Sequence, residues 1–281
     1  MKELRIVTLY SGSGGNSVYI RVANTAILID AGKSARTLCN SLREIGSDIS
    51  EISAIFITHD HHDHTSALEV LAKKNQIPIH MTRASAQIFD RCPDAQIHSR
   101  LVLHEPEYTA EVGGLTVRSF RTPHDSRMSV GYRIEFCDGE RVRAFGVATD
   151  IGYVTDDIRR GLCGCEAVVL ESNHDVDMLM DGPYPYELKC RIRSNRGHLS
   201  NKDSALFAAT LAQSGTRAFL LAHLSEENND PTLALEEALC AISDESVTIC
   251  AASPTEPTEL PISDREETCD DRREIYNPWN A

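Results

Sequence analysis

The sequence predicts a layered α/β or α+β domain, with strands at the centre and helices outside. Three observations carry this. Apolar runs of strand length recur from end to end, helix-period stretches lie among them, and 41% of the residues are hydrophobic, enough for a packed core. The strand-like runs cover residues 4–9, 18–22, 26–30, 52–57, 78–81, 115–120, 131–136, 143–149, 167–171, 218–222 and 247–251. Apolar residues recur at helical spacing over 34–44, 66–74, 83–91, 202–214 and 232–242. The first and last thirds mix both element types, the middle is mostly strand, and no segment repeats at a fixed period.

The length, 281 residues, suits one large domain or two small ones. Nothing before residue 253 reads as a linker, so residues 1–252 are read as one domain. From Ser253 the character changes: Pro254, Pro257 and Pro261 interrupt the chain and 264–273 is nearly all charged. Residues 253–281 are read as a solvated extension after the last core element.

Several classes are excluded. No window approaches 18 uninterrupted apolar residues, so a membrane span is not expected. The start, Met1-Lys2-Glu3-Leu4-Arg5, has no secretory pattern. The 9 cysteines are scattered, without a C-x-x-C pair. That suits free thiols in a reducing cytoplasm better than a disulfide framework. Lys and Arg number 28 against 42 Asp and Glu, a formal charge of −14, which is unlike a broad nucleic-acid binder.

The strongest chemical signal is Thr58-His59-Asp60-His61-His62-Asp63-His64. It follows the buried-strand run 52–57 and precedes a helix expected from about Thr65-Ser66. The cluster therefore sits at the C-terminal end of a strand, where open α/β sheets place their sites. His59 and His61 are spaced to converge on one ion; Asp63 and His64 fall at the next bend and can face a second. Further strand ends supply Asp150, after Ala148-Thr149, and His223, after the run ending at Ala222. Thr122-Pro123-His124-Asp125 adds a histidine just after the strand ending at Phe120. Imidazoles with one or two carboxylates suit Zn, Mn or Fe, and too few oxygens are present for Ca.

H-x-H-x-D-H followed by a lone His, a lone Asp and a last His resembles the metallo-β-lactamase fold superfamily. The segments Ser11 to Asn16, Ile27 to Gly32, Thr149-Asp150-Ile151-Gly152, Glu171-Ser172-Asn173-His174-Asp175, Gly197-His198-Leu199-Ser200-Asn201 and Ala222-His223-Leu224-Ser225 bring it closer to the YycJ/WalJ group, over about residues 4–251. Gly14 departs from the serine more usual there. The resemblance implies an αββα four-layer sandwich with two divalent metal ions per chain at its edge. It assigns His59, His61 and His124 to one ion, Asp63, His64 and His223 to the other, and Asp150 to both. Asp63 is thereby also a catalytic group, and the ions would share a hydroxide as nucleophile.

His198 competes with His223 for the last ligand position. His223 is favoured because it ends an apolar strand, whereas His198 lies in a Gly-flanked loop. His198 is then a proton donor by similarity to tRNA-processing RNase Z enzymes, or else a helix-capping histidine. Asp30 reads either as an acceptor supporting a ligand imidazole or as a turn-capping residue, and Asn16 as a second supporting residue beside it. Asp60 either orients a ligand or holds its loop, and His62 points to solvent. His174 lines the pocket or is structural. Gly12 to Gly15 lacks the Gly-Lys-Ser/Thr of a P-loop; it either lets amides approach the metals or makes a tight turn.

The most basic stretch, Lys189 to Arg196, inverts the local charge just before His198. Lys189, Arg191 and Arg193 are the candidate phosphate contacts, with Tyr184 and Tyr186 nearby to stack on bases; a solvated helix face is the other reading. The stretch from Asp150 to His223 is too short for an inserted second domain, which disfavours RNase J-like nucleases. The resemblance implies a phosphodiesterase on nucleic acid, a 5′-to-3′ exonuclease on double-stranded DNA. Hydrolysis of a small thioester or lactone, RNase Z-like RNA processing, and a non-catalytic metal-stabilised module are the alternatives.

Overall fold

The chain fills one sheet, then a second, and returns to the first. The structure is a computed structural model and describes residues 4–262. Strands β1 (Leu4–Tyr10), β2 (Ser17–Val22) and β3 (Thr25–Ile29) form an antiparallel meander. Helix α1 (Ala35–Glu44) then crosses to β4 (Ile52–Phe56), which lies parallel to β3. Two helices, α2 (His62–Thr65) and α3 (Leu68–Lys74), lead to β5 (Ile79–Thr82). Next, α4 (Arg83–Ala86) and α5 (Ala95–Arg100) lead to β6 (Leu101–His104); β5 and β6 extend the sheet in parallel.

The second sheet starts with antiparallel hairpins, β7 (Thr109–Val112), β8 (Leu115–Thr122), β9 (Ser129–Asp138) and β10 (Arg141–Ala148). It continues in parallel through α6 (Asp156–Leu162), β11 (Ala167–Glu171), α7 (Val176–Asp181), α8 (Tyr186–Ile192), α9 (Asn201–Gln213), β12 (Ala218–Ala222), α10 (Pro231–Ala241) and β13 (Thr248–Ala251). Finally β14 (Thr258–Glu259) pairs with β1.

Burial explains why the strands read as unbroken apolar runs: each central strand is covered on both faces. Between the sheets lie Ile20, Ile27, Phe56, Tyr132, Phe145 and Leu220. The outer face of the first sheet packs Leu28 under Leu38, Leu42, Leu68 and Leu71 of α1 and α3. That of the second packs Phe219 and Leu170 under Leu162, Phe207 and Leu211 of α6 and α9. The result is the four-layer αββα sandwich. Helices begin where a side chain takes up a free amide: Ser34 accepts from Thr37, Thr155 from Ile158, and Ser200 from Asp203.

Several expectations need correcting. Helix α2 starts at His62, ahead of the expected Thr65-Ser66, so Asp63 and His64 stand on a helical turn. The 83–91 helix is α4 followed by a 3₁₀ turn over Gln87–Phe89. Residues past 253 also continue into the first sheet. Ser253 accepts a hydrogen bond from Ser11 N–H at 3.0 Å, Leu260 N–H donates to Ile6 at 2.9 Å, and Leu260 is buried. Residues 253–262 therefore complete the first sheet; the charged run 264–273 lies outside the described residues. The described cysteines are free, and burial pushes the Cys165 thiol up to about 12, which keeps it inert. No helix among the described residues is long and apolar enough to cross a membrane.

Candidate metal centre

The C-terminal ends of six strands meet at one edge of the sandwich. Asp30 follows β3, the 58–64 segment follows β4, His124 follows β8, Asp150 follows β10, Glu171 ends β11, and His223 follows β12. Asp30, Asp150 and His223 take left-handed backbone with φ of 64, 57 and 57°. Such a conformation costs a non-glycine residue about 1–2 kcal/mol and clusters at functional sites.

Two triads of donor atoms form there, each with its atoms within 4.8 Å of one another: His59, His61 and His124; and Asp63, His64 and His223. Asp150 lies between them. Its Oδ1 is 3.6 Å from His124 Nε2 and 3.5 Å from His223 Nδ1, and its Oδ2 is 3.3 Å from His64 Nε2. Asp63 Oδ2 is 3.3 Å from His64 Nε2 and 3.9 Å from His223 Nε2.

Behind the donors stands a supporting layer. Asp30 Oδ2 accepts from His64 Nδ1 at 2.7 Å, and its carboxylate also takes the Thr58 N–H and hydroxyl at 2.8 and 2.9 Å. His64 Nε2 is thereby turned toward the cluster. Asn16 reaches Asp63 Oδ2 at 3.3 Å and is anchored to Gly12. The Gly12–Asn16 segment is a turn, since Gly15 N–H closes on Gly12 O at 3.0 Å. A Cβ on Gly32 would lie 1.9 Å from Asp63 O, so only glycine lets α2 approach this closely. Asp60 holds its loop, taking the N–H and guanidinium of Arg127, and His62 is exposed.

Glu171, fully buried, is the functional residue that sequence reasoning missed. Its Oε1 accepts from Nδ1 of both His198 and His223, at 2.8 and 2.9 Å, and its Oε2 from the N–H of Ile151 and Leu199, at 2.8 and 3.1 Å. The available signal was a carboxylate ending an apolar strand, the cue that singled out Asp150. His198 is hydrogen-bonded to this hub, lies 3.7 Å from Asp150 Oδ1 and has its ring 5.1 Å from those of His124 and His223; its side chain is 20% exposed.

The electrostatics fit a cation. Burial opposes a charge on His64, but Asp30, Asp150 and Asp63 overcome it and raise that ring well above the usual histidine range. Burial likewise opposes a charge on His223, which Asp150 and Glu171 push up to about 9. His59, buried and ringed by the other imidazoles, is driven well below its usual range. His59 Nε2, His223 Nε2 and Asp150 Oδ2 are buried without a hydrogen-bond partner. Orphaned donors of this kind beside several buried carboxylates are what a divalent cation would satisfy.

The expected substrate contacts divide. Lys189 is buried and donates to the carbonyls of Met180 and Gly182 at 2.6 and 2.8 Å, so it caps α7 and offers nothing to a phosphate. Arg191 is exposed and paired with Asp125, which in turn lies 3.4 Å from His124 Nε2. Arg193 is exposed and touches Met180 Sδ. His174 is buried with Nδ1 unpartnered, and burial lowers it to about 4. Tyr186 is exposed.

The β-lactamase superfamily domain family matches residues 25–224. Exodeoxyribonuclease YycJ of Bacillus anthracis is 33% identical over 231 residues, covering 82% of this chain and 86% of that protein. Exodeoxyribonuclease WalJ of Streptococcus pneumoniae is 34% identical over 232 residues, covering 80% and 83%. The crystal structure of the metallo-β-lactamase fold protein YhfI from Bacillus subtilis is similar with a TM-score of 0.66 at 16% identity, covering 91% of this chain and 98% of that one.

Proposed function

Because the chain belongs to the metallo-β-lactamase fold superfamily, in its YycJ/WalJ group, we propose that the metal-dependent hydrolysis it carries out cleaves phosphodiester bonds of DNA, from the 5′ end of a duplex. The names of the two relatives support the substrate. The observation that carries the chemistry is the pair of donor triads flanking Asp150, with buried atoms of His59, His223 and Asp150 left unpaired.

His59, His61 and His124 would hold one divalent cation, Asp63, His64 and His223 a second, and Asp150 would serve both. Bound Zn, Mn or Fe would supply a water acidic enough to attack near neutral pH, and positive charge for the departing oxygen. The remaining tasks belong to the chain. Asp30 holds Nδ1 of His64 and Glu171 holds Nδ1 of His223, which fixes the tautomers and aims each Nε2 at the cluster. His198, its Nδ1 likewise engaged by Glu171, gives the proton on Nε2 to the leaving oxygen. Asn16 steadies Asp63. Arg191 and Arg193 face the phosphates that flank the cluster, and His174 lines its border. The catalytic domain runs from β1 through β14, the strand that pairs with it.

The test is incubation of metal-loaded protein with 5′- and 3′-labelled duplex and single-stranded DNA and RNA, beside a panel of thioesters and lactones. Release of mononucleotides from the 5′ end of duplex DNA is expected. Turnover confined to the esters would overturn the proposal.

A further inference from the structure

Beside His124 lies a concavity of about 430 Å³, formed where three loops meet. These are the β8–β9 loop with Ser126 and Arg127, the turn after β10 with Tyr153, and the loop between α8 and α9 with Asn195 and Arg196. His124 belongs to its wall, which places the concavity beside the candidate metal centre.

Its shape is set in advance by ties between the loops. Gly152 N–H donates to Pro123 O at 2.8 Å, and Arg196 donates from Nε and Nη2 to His124 O, both at 3.3 Å. A Cβ at Gly152 would stand 2.2 Å from Asn195 O, so two of the loops touch backbone to backbone. A volume of this size lies within the range of small-molecule sites.

The lining points to one kind of occupant. Tyr153 is 48% exposed although it is a large aromatic residue. Ser126 Oγ is buried with no partner, an unsatisfied donor and acceptor in the wall. Arg127 engages Asp60 through Nη1, and its side chain is 50% exposed. Asn195 is an exposed amide. An open aromatic face, two guanidinium groups, an amide and an unpaired hydroxyl are the groups that receive a flat heterocycle carrying a phosphate. The acyl chain of a thioester would leave the arginines and the hydroxyl without use.

We propose that this concavity is the subsite for the nucleotide beside the scissile phosphate, with Tyr153 stacked on its base and Arg127 and Arg196 facing its backbone. The proposal rests on the nuclease reading above and specifies where that substrate sits. Stacking on an aromatic ring contributes about 1–3 kcal/mol per base, so loss of the ring should weaken nucleotide recognition about tenfold.

Two substrates test it: thymidine 5′-(p-nitrophenyl phosphate), and methyl p-nitrophenyl phosphate, which has no base. In Tyr153→Ala, the advantage in kcat/KM of the thymidine ester over the methyl ester should fall about tenfold, through KM, and Tyr153→Phe should restore it. In parallel, a duplex ending in 2-aminopurine should lose fluorescence on binding the wild type and keep it with Tyr153→Ala. An unchanged ratio together with unchanged quenching overturns the subsite. If the wild type cleaves the methyl ester but no DNA, the nuclease reading itself falls; if it cleaves DNA and ignores Tyr153, only the subsite does.

Discussion

Replacing Glu171 by Gln exchanges one of two acceptor oxygens for a donor amide at the junction of the supporting layer. The native carboxylate accepts from His198, His223 and the Asp150 amide on Oε1 and from the Ile151 and Leu199 amides on Oε2. An amide can accept on one side only. With its oxygen toward the imidazoles, its NH₂ group meets two backbone N–H groups; reversed, it meets two ring N–H groups and the Asp150 N–H. At least two buried donors are orphaned either way, at about 1–3 kcal/mol each. Glu171→Gln should therefore unfold about 4 kcal/mol more easily as metal-stripped protein. Because His223 loses the partner that fixes its tautomer, metal affinity should fall about 10–100-fold. Urea unfolding reads the first quantity and equilibrium dialysis against graded free Zn the second. Wild-type values in both would refute the hub; lost stability with unchanged metal affinity would confine Glu171 to tying loops together.

His198→Ala should keep its full metal complement by atomic absorption and lose turnover by about 10²–10⁴-fold; loss of a metal would make it a ligand instead. Lys189→Met should lower the urea midpoint by the equivalent of about 2–3 kcal/mol, because two carbonyls at the end of α7 lose a charged donor. A rise in KM for DNA without that loss would restore Lys189 to the substrate. The buried His80, stacked on Phe56 with ring centroids at 4.5 Å, is lowered from 6.5 to about 4 by burial and by His104. The unfolded chain thus takes up the proton first. The contribution of His80 is complete above pH 6.5 and falls by up to about 3 kcal/mol as the pH drops toward 4. In a pH series of unfolding curves His80→Leu should lose less stability than the wild type over that window, the remaining fall belonging to His174 and His59; an unchanged slope would refute the assignment.

The donor cluster was legible because its chemistry is written contiguously: six consecutive residues after a buried strand are all His or Asp. Asp150 and His223 were legible from the same rule applied to single residues at strand ends. Glu171 obeys that rule too, but as the last residue of β11 it was absorbed into the strand. Lys189 was misread because its charge was counted along the chain rather than around the helix. On α8 it occupies the position that faces the end of α7, while Arg191 turns outward. The start of α2 was hidden because its first turn, His62-Asp63-His64-Thr65, shows no apolar period. Strands β6 and β7 have only four residues each, too few for the apolar run Leu101-Val102-Leu103 or the alternation Thr109-Ala110-Glu111-Val112 to stand out. Strand β14 is two residues long and held by backbone pairing, which side-chain patterns do not record.

A formal charge of −14 constrains how such a protein can hold a polyanion. A long basic track would neutralise many phosphates and bind any duplex along its length. Here Lys189 is turned inward and Arg191 is matched by Asp125, so the stretch before His198 attracts far less than its count of cations suggests. The remaining positive charge near the site is that of Arg193 and Arg196, with Arg127 matched by Asp60, together with the metals the triads would bind. A nucleic acid would then be held over one or two nucleotides at the catalytic edge and repelled beyond it. An end can meet that geometry with few phosphates inside the repulsive field, whereas the middle of a duplex brings many. For the proposed nuclease, net charge and site together would therefore favour attack at a terminus over attack within the strand.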